Sequence, residues 1–211
     1  MSQDHLYIIP ARKGSKGFPL KNRKLFDFTA ITLAGLEPRS VIVSTDDDEI
    51  ITKAEEFGFQ IHKRSPKNSD DYASLKDVVS EVILDFNIKD KLIHVLYLTY
   101  PERKFQDIEN ARTFFLEKNA DSLLCRKLPK SHPYLCFESL PGDRAKPVVA
   151  HSLYRRQDYP ECFEVSHFIS IFKSQKLNQL TDQLYNENTI FFLIEDKIDV
   201  DQEQDFLKYG N

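Results

Sequence analysis

The 211-residue chain has no apolar run long enough to cross a bilayer. Met1-Ser2-Gln3-Asp4-His5 lacks a basic region followed by an apolar stretch. No signal peptide is therefore expected, and the expectation is a cytoplasmic protein with no membrane partner. Positive charge is not in excess: the formal net charge is −4. That argues against a globally basic nucleic-acid surface, so no nucleic-acid partner is expected, while a local basic pocket stays open. Cysteine is scarce. Cys125, Cys136 and Cys162 are far apart and show no metal-ligand spacing. An odd, scattered set reads as reduced thiols in a reducing compartment. Internal repeats and low-complexity tracts are also missing.

What is present is 41% hydrophobic residues, enough for one sizeable core in a single domain spanning 1–211. Short apolar runs alternate with segments of helical period. Leu6-Tyr7-Ile8-Ile9, Val41-Ile42-Val43-Ser44, Phe59-Gln60-Ile61-His62, His94 to Leu98 and Ser122-Leu123-Leu124-Cys125 read as strands. Helices are expected from the acids 46–48 to Gly58, from Ser74 to Phe86, and around Ile108, Ala111, Phe114 and Phe115. Asp46 is expected to cap the first of these. Later strands are expected at 168–172, 190–193 and 197–200, with a closing helix at 202–209. The alternation predicts a three-layer α/β/α domain with a mostly parallel central sheet. Between 129 and 160 the pattern loosens into prolines, aromatics and basic residues, which reads as an inserted arm.

The most informative stretch follows the first strand: Pro10-Ala11-Arg12-Lys13-Gly14-Ser15-Lys16-Gly17-Phe18-Pro19-Leu20-Lys21-Asn22. Glycines permit close approach of backbone N–H groups to an anion. Arg12, Lys13, Lys16 and Lys21 can neutralise phosphate oxygens. In an open α/β sheet this loop lies where ligands bind. It is neither a Walker A loop nor a dinucleotide fingerprint. Composition alone leaves a solvated basic loop equally open.

The loop resembles the Ala-Arg-x-x-Ser-Lys-Gly-x-Pro-x-Lys-Asn signature of the CMP-sialic-acid synthetase (acylneuraminate cytidylyltransferase) family. Further matches follow in order: Val43-Ser44-Thr45-Asp46-Asp47, then Arg64 with Asp71, Ala73 and Ser74, then Thr99, Pro101 and Arg103. Ser131-His132-Pro133 and Ile198-Asp199-Val200-Asp201 with Asp205 complete the set. The resemblance spans nearly the whole chain. It implies a Rossmann-like nucleotidyltransferase fold and the joining of CTP to an acidic, nonulosonic-type sugar with release of pyrophosphate. It implies Lys21 and Arg12 as catalytic residues. It puts Ala11, Arg12, Gly14, Ser15, Lys16, Lys21, Asn22, Arg64 and Ser74 at the nucleotide. It implies Tyr97, Thr99, His132 and Arg156 on the sugar side, and a homodimer joined through the arm at 129–160. Asp199 and Asp201, taken as alternating on a strand, would share a face and hold Mg²⁺. Without the resemblance, the favoured reading is a strand end at the solvent, with Asp201 capping the last helix.

Departures from the family cluster on the sugar side. Tyr97, Leu98 and Tyr100 replace Gln, Pro and Ser of the family's turn. Glu164-Val165-Ser166-His167 stands where the family has Arg-Pro-Asn-Gly. A bidentate arginine for a sugar carboxylate is thus exchanged for an acid, with Arg155 and Arg156 nearby as partial compensation. Three readings stay open: a cytidylyltransferase for another acidic sugar, a transferase of the same fold with a different substrate, and a catalytically impaired relative that binds nucleotide or a partner protein.

Overall fold

The computed structural model describes residues 5–14, 17–70 and 72–209. Among these residues, nine strands follow in chain order. They are β1 (His5–Pro10), β2 (Val41–Thr45), β3 (Gln60–Lys63), β4 (Leu92–Val95), β5 (Ser122–Lys127), β6 (Phe137–Leu140), β7 (Arg144–Pro147), β8 (Glu164–Lys173) and β9 (Ile190–Leu193). Seven of them form the central sheet, in the spatial order β3-β2-β1-β4-β8-β5-β9. β1 pairs in parallel with β2 and β4, β2 with β3, and β5 with β9. Within this sheet only β8 runs antiparallel, against both β4 and β5.

Alternation along the central strands feeds two apolar layers. Tyr7, Ile9, Val41 and Val43 face the layer that contains Leu25, Phe26, Ile50, Ala54, Ile108, Ala111 and Phe115. These come from α1 (Lys21–Leu33), α2 (Asp48–Glu56) and α4 (Phe105–Glu117). Ile8, Ile42, Ile93 and Val95 face the other layer, with Val79 and Val82 of α3 (Leu75–Asp85) and Leu177, Leu180 and Leu184. Fully buried Phe26 and Phe115 each contribute roughly 1.5–3 kcal/mol relative to exposure. The architecture is the expected α/β/α fold. Among the described residues, no helix is long and apolar enough to cross a membrane.

Three local features differ from expectation. The expected loop to Asn22 ends earlier, because α1 begins at Lys21. Its cap, Leu20, sits in the left-handed region at φ 59° and offers no side-chain hydrogen bond, so the usual polar start signal is missing. Asp47, not Asp46, caps α2, accepting from the Glu49 N–H. Asp46 instead accepts from the Lys13 backbone N–H at 2.7 Å. Residues 197–200 form no strand: β9 already occupies the edge beside β5, and the segment is tethered by Val200 N–H donating to the Thr99 carbonyl at 2.8 Å. The chain ends in α5 (Glu203–Tyr209).

The 129–160 segment carries a small separate sheet, β6 antiparallel to β7. Phe137 and Tyr154 are exposed to 60% and 95%, so this arm leaves apolar surface uncovered.

Candidate active site

The carboxyl ends of β1, β3 and β4 open onto one cavity of about 330 Å³. At one end it is lined by Arg12, Gly14 and Lys21 together with Asp199 and Asp201; at the other by Tyr97, Tyr100 and His167; Ala73, Leu75 and Val78 supply apolar wall.

The charged end is assembled by backbone clamps. Ala11 N–H donates to the Ser44 carbonyl at 2.8 Å, and Thr45 Oγ1 donates to the Ala11 carbonyl at 2.5 Å. With Lys13 held by Asp46, these contacts fix the start of the loop to the end of β2. Asn22 Nδ2 reaches back to the Arg12 carbonyl at 2.8 Å, so the first turn of α1 closes the loop upon itself. At Gly17 a Cβ would lie 3.2 Å from the Asp201 carbonyl, so this glycine permits the loop to touch the aspartate segment. Lys21 Nζ lies 3.2 Å from Asp201 Oδ1. Gln202, not Asp201, immediately precedes α5, and Asp205 in the first turn of the helix accepts from the backbone N–H groups of Asp201 and Gln202.

The cavity wall continues through Arg64, which is only 8% exposed. Its Nε donates to both the carbonyl and Oγ of Ser44 at 3.1 Å. Burial pulls its pKa down to about 10, with Asp46 opposing and Arg12 adding to the shift. The guanidinium nonetheless remains charged at neutral pH.

The aromatic end is drier. Burial raises the Tyr97 and Tyr100 phenols above their usual range, and Asp199 pushes both further up. Tyr100 donates to Asp199 Oδ2 at 2.8 Å, while Asp199 Oδ1 is buried with no protein partner among the described residues. The His167 ring lies 5.4 Å from that of Tyr97, and its Nδ1 is likewise buried without a partner among them. Burial lowers the His167 pKa, with Asp199 opposing. Arg103 supports this end from beneath: Nη1 donates to the Phe168 carbonyl, and Nη2 to the Tyr97 carbonyl and Thr29 Oγ1.

Of the residues singled out from sequence, Arg12, Gly14, Lys21, Asn22, Arg64, Tyr97, Thr99, Asp199 and Asp201 line this cavity. Ala11 is fully buried beside it. Ser74 caps α3 through the Asp77 N–H and is not among the lining residues. Ser15, Lys16 and Asp71 lie outside the described residues. His132 and Arg156 sit on the arm and do not line the cavity. There His132 accepts from the Tyr134 N–H and packs with Tyr134 and Tyr159. Sequence reasoning assigned no site role to His167 or Tyr100. Their signal was present as departures from the family pattern.

Residues 6–195 match the cytidylyltransferase family. The chain belongs to that family. It is therefore a nucleotidyltransferase by fold and sequence. The cytidylyltransferase is 27% identical to the post-translational flagellin modification protein B of Campylobacter coli, across 95% of this chain and 91% of that one. It is 28% identical to the N-acylneuraminate cytidylyltransferase of Streptococcus agalactiae, across 95% of its own length but only 51% of that protein's. This chain thus spans about half of the streptococcal relative. A solved CMP:2-keto-3-deoxy-manno-octonic acid synthetase complexed with CTP superposes with a TM-score of 0.66 at 16% identity, covering 98% of this chain and 96% of that one.

Proposed function

We propose that this cytidylyltransferase transfers CMP from CTP to a hydroxyl of an acidic, nonulosonic-type sugar and releases pyrophosphate. The observation that carries the reading is the charged end of the cavity, where Arg12, Lys21, Asp199 and Asp201 converge from opposite ends of the sequence. Phosphoryl-group chemistry of this kind needs positioning and charge neutralisation more than covalent help. The loop ahead of α1 receives the triphosphate. Lys21 and Arg12 offset the charge that builds at the α-phosphorus as the sugar oxygen attacks and pyrophosphate leaves. Arg64, Asn22 and the apolar wall of Ala73, Leu75 and Val78 take the nucleoside. Tyr97, Thr99 and Tyr100 face the sugar.

A magnesium ion suits the donor set. Asp199 Oδ1 is an orphaned buried oxygen, Asp201 is an accessible carboxylate in the same cavity, and Mg²⁺ favours one or two carboxylates plus phosphate oxygens and water. Asp199 and Asp201 would hold it, and it would neutralise phosphate charge. Tyr100 orients the Asp199 carboxylate.

Among the described residues, the arginines that line the cavity are Arg12 and Arg64, both of which this reading assigns to the nucleotide. Glu164 is turned outward onto Lys127 at 3.1 Å, and Arg155 is paired with Asp158. On that assignment a cation for a sugar carboxylate comes from outside this cavity. The exposed apolar arm at 129–160 supports a homodimer in which a second copy completes the sugar end. The same shortage supports a second reading, a relative that binds nucleotide without transferring it.

A pyrophosphate-release assay with CTP, Mg²⁺ and a panel of acidic nine-carbon sugars separates the two. Transfer predicts release that depends on both CTP and one of the sugars. Calorimetric CTP binding with no release under any sugar would favour the second reading.

A further inference from the structure

Behind Arg64, away from the cavity, stands a buried histidine that the transfer reaction does not use. His62 is 2% exposed, and its Nδ1 lies 3.0 Å from Ser44 Oγ. Its Nε2 lies 3.3 Å from Asp85 Oδ2 and 3.9 Å from Glu81 Oε2, both on α3. These carboxylates can only accept, so the ring proton belongs on Nε2. Nδ1 is then an acceptor, and the Ser44 hydroxyl donates to it. Ser44 Oγ in turn accepts from Arg64 Nε at 3.1 Å. Arg64 Nε and the Ser44 hydroxyl each face an acceptor at hydrogen-bond distance, while His62 Nε2 meets Asp85 only as a close charge contact without hydrogen-bond geometry. The order runs from the cavity wall across β2 and β3 towards α3.

We propose that His62 is a positioning residue that acts through Ser44 to fix the Arg64 guanidinium in the wall of the nucleotide cavity. Without the histidine acceptor the Ser44 hydroxyl is free to rotate, and its lone pairs no longer point dependably at Arg64. The guanidinium would keep the Ser44 carbonyl at 3.1 Å and a long contact to the Asn68 carbonyl at 3.4 Å. Those two acceptors leave it room to swing. Glu81 steadies the other side of the same turn, accepting from Ser65 N–H at 3.1 Å and Asn68 Nδ2 at 2.7 Å. The residues holding Arg64 therefore come from β2, β3, α3 and the turn between them, and none of them lines the cavity. Only the kinetic consequence of this positioning rests on the proposed CTP reaction.

The test uses the full chain with His62→Leu, His62→Asn, Ser44→Ala and the double variant Ser44→Ala/His62→Leu. Asparagine keeps an acceptor near the place of Nδ1; leucine does not. Arg64 contacts bound nucleotide in ground state and transition state alike, so loss of its placement raises KM and spares kcat. His62→Leu and Ser44→Ala should each raise KM for CTP about tenfold with kcat within about twofold. The double variant should be no worse than the worse single one. His62→Asn should stay within about threefold of the native KM. Nitrogen-15 spectra without nucleotide should show an exchange-protected Arg64 Nε–H in the native chain and in His62→Asn, lost in His62→Leu and Ser44→Ala. A native KM or an unchanged Arg64 signal in folded His62→Leu and Ser44→Ala overturns the proposal, as do effects that multiply in the double variant. Absence of CTP turnover in the native chain would count against the proposed reaction alone, and the Arg64 signal would still decide the positioning.

Discussion

The two ends of the cavity are built by different means. The charged end is made of backbone clamps and an ion pair, in which Lys21, 13% exposed at its side chain, meets Asp201, which is 73% exposed. The aromatic end is made of desolvated groups locked by side-chain hydrogen bonds, with Tyr100 on Asp199 and Arg103 beneath Tyr97. A surface ion pair of the first kind adds about 0–1 kcal/mol to stability, so Lys21 and Asp201 are not there to hold the fold together. The buried contacts of the second kind set shape. The difference teaches that the charged end keeps an accessible carboxylate, Asp201, within reach of a ligand, while the aromatic end holds its groups by burial and leaves Asp199 Oδ1 and His167 Nδ1 without a protein partner among the described residues.

Lys21→Ala is the sharpest way to break this contrast. Its ammonium reaches across to the solvent-facing Asp201, so stability should hold while pyrophosphate release falls by about 10³-fold. Native turnover in a folded variant would remove Lys21 from the reaction. Next in size is the aspartate pair. Asp199→Ala and Asp201→Ala should each raise the Mg²⁺ concentration needed for half-maximal rate by about tenfold or more, and together they should lower the rate by about 10²-fold. A capping role for Asp201 would instead cost about 0.5–2 kcal/mol of stability with an unchanged Mg²⁺ curve. The contacts of Asp205 with the same backbone already point away from that outcome.

Legibility from sequence depended on whether a residue's partner was near along the chain. The strands at 6–9, 41–44 and 190–193 announced themselves through short apolar runs, and the pairing of β1 with β2 and β4 follows from the α/β alternation. The first loop was readable because its glycines and cations are contiguous. α1 was not: its buried set of Leu25, Phe26, Thr29, Ala30 and Leu33 includes a threonine, and Leu20 gives no capping signal. Asp199 and Asp201 were placed in the site for a geometry that the fold does not use. They converge with the loop through Thr99, Tyr100 and Gly17, not through a strand face. Arg103 stood in the sequence as part of a family turn, yet its role lies in three acceptors from α1, β8 and the segment after β4. Only the fold brings those together. His62 carried no signal at all, since its partners Ser44 on β2 and Asp85 on α3 meet it only across the folded chain.

A smaller effect tests how far the aromatic end depends on the Tyr100 hydroxyl. Tyr100→Phe removes the hydroxyl between Asp199 and Ser166 while keeping the ring. It should weaken the apparent Mg²⁺ or sugar KM by about tenfold and leave KM for CTP within about twofold, since one hydrogen bond to a charged group is lost. An equal rise in all three constants would mean that the two ends are coupled through Asp199 and not separable.

The smallest effect is on stability, and it follows from the sign of the histidine shifts. Burial lowers the pKa of His62, His94 and His167 from the ordinary 6.5, in His94 most strongly. In the unfolded chain each takes up a proton as pH falls through 6.5; in the folded chain each resists until lower pH. The unfolded state then binds more protons, so their contribution to stability is full above pH 6.5 and is lost as pH falls towards the folded values. Each group can contribute at most about 1.4 kcal/mol per pH unit in that window. His94, wholly enclosed beside His5 and Tyr7, should account for the largest share. His167 still meets some solvent, so its share should be well under that ceiling. Urea midpoints at pH 7.0 and 5.5, in chelator to remove Mg²⁺, should show a smaller drop for His167→Gln than for the native chain. An identical drop would mean that the His167 ring is as well hydrated as the charged end, and the contrast between the two ends would fail at the residue that best defines it.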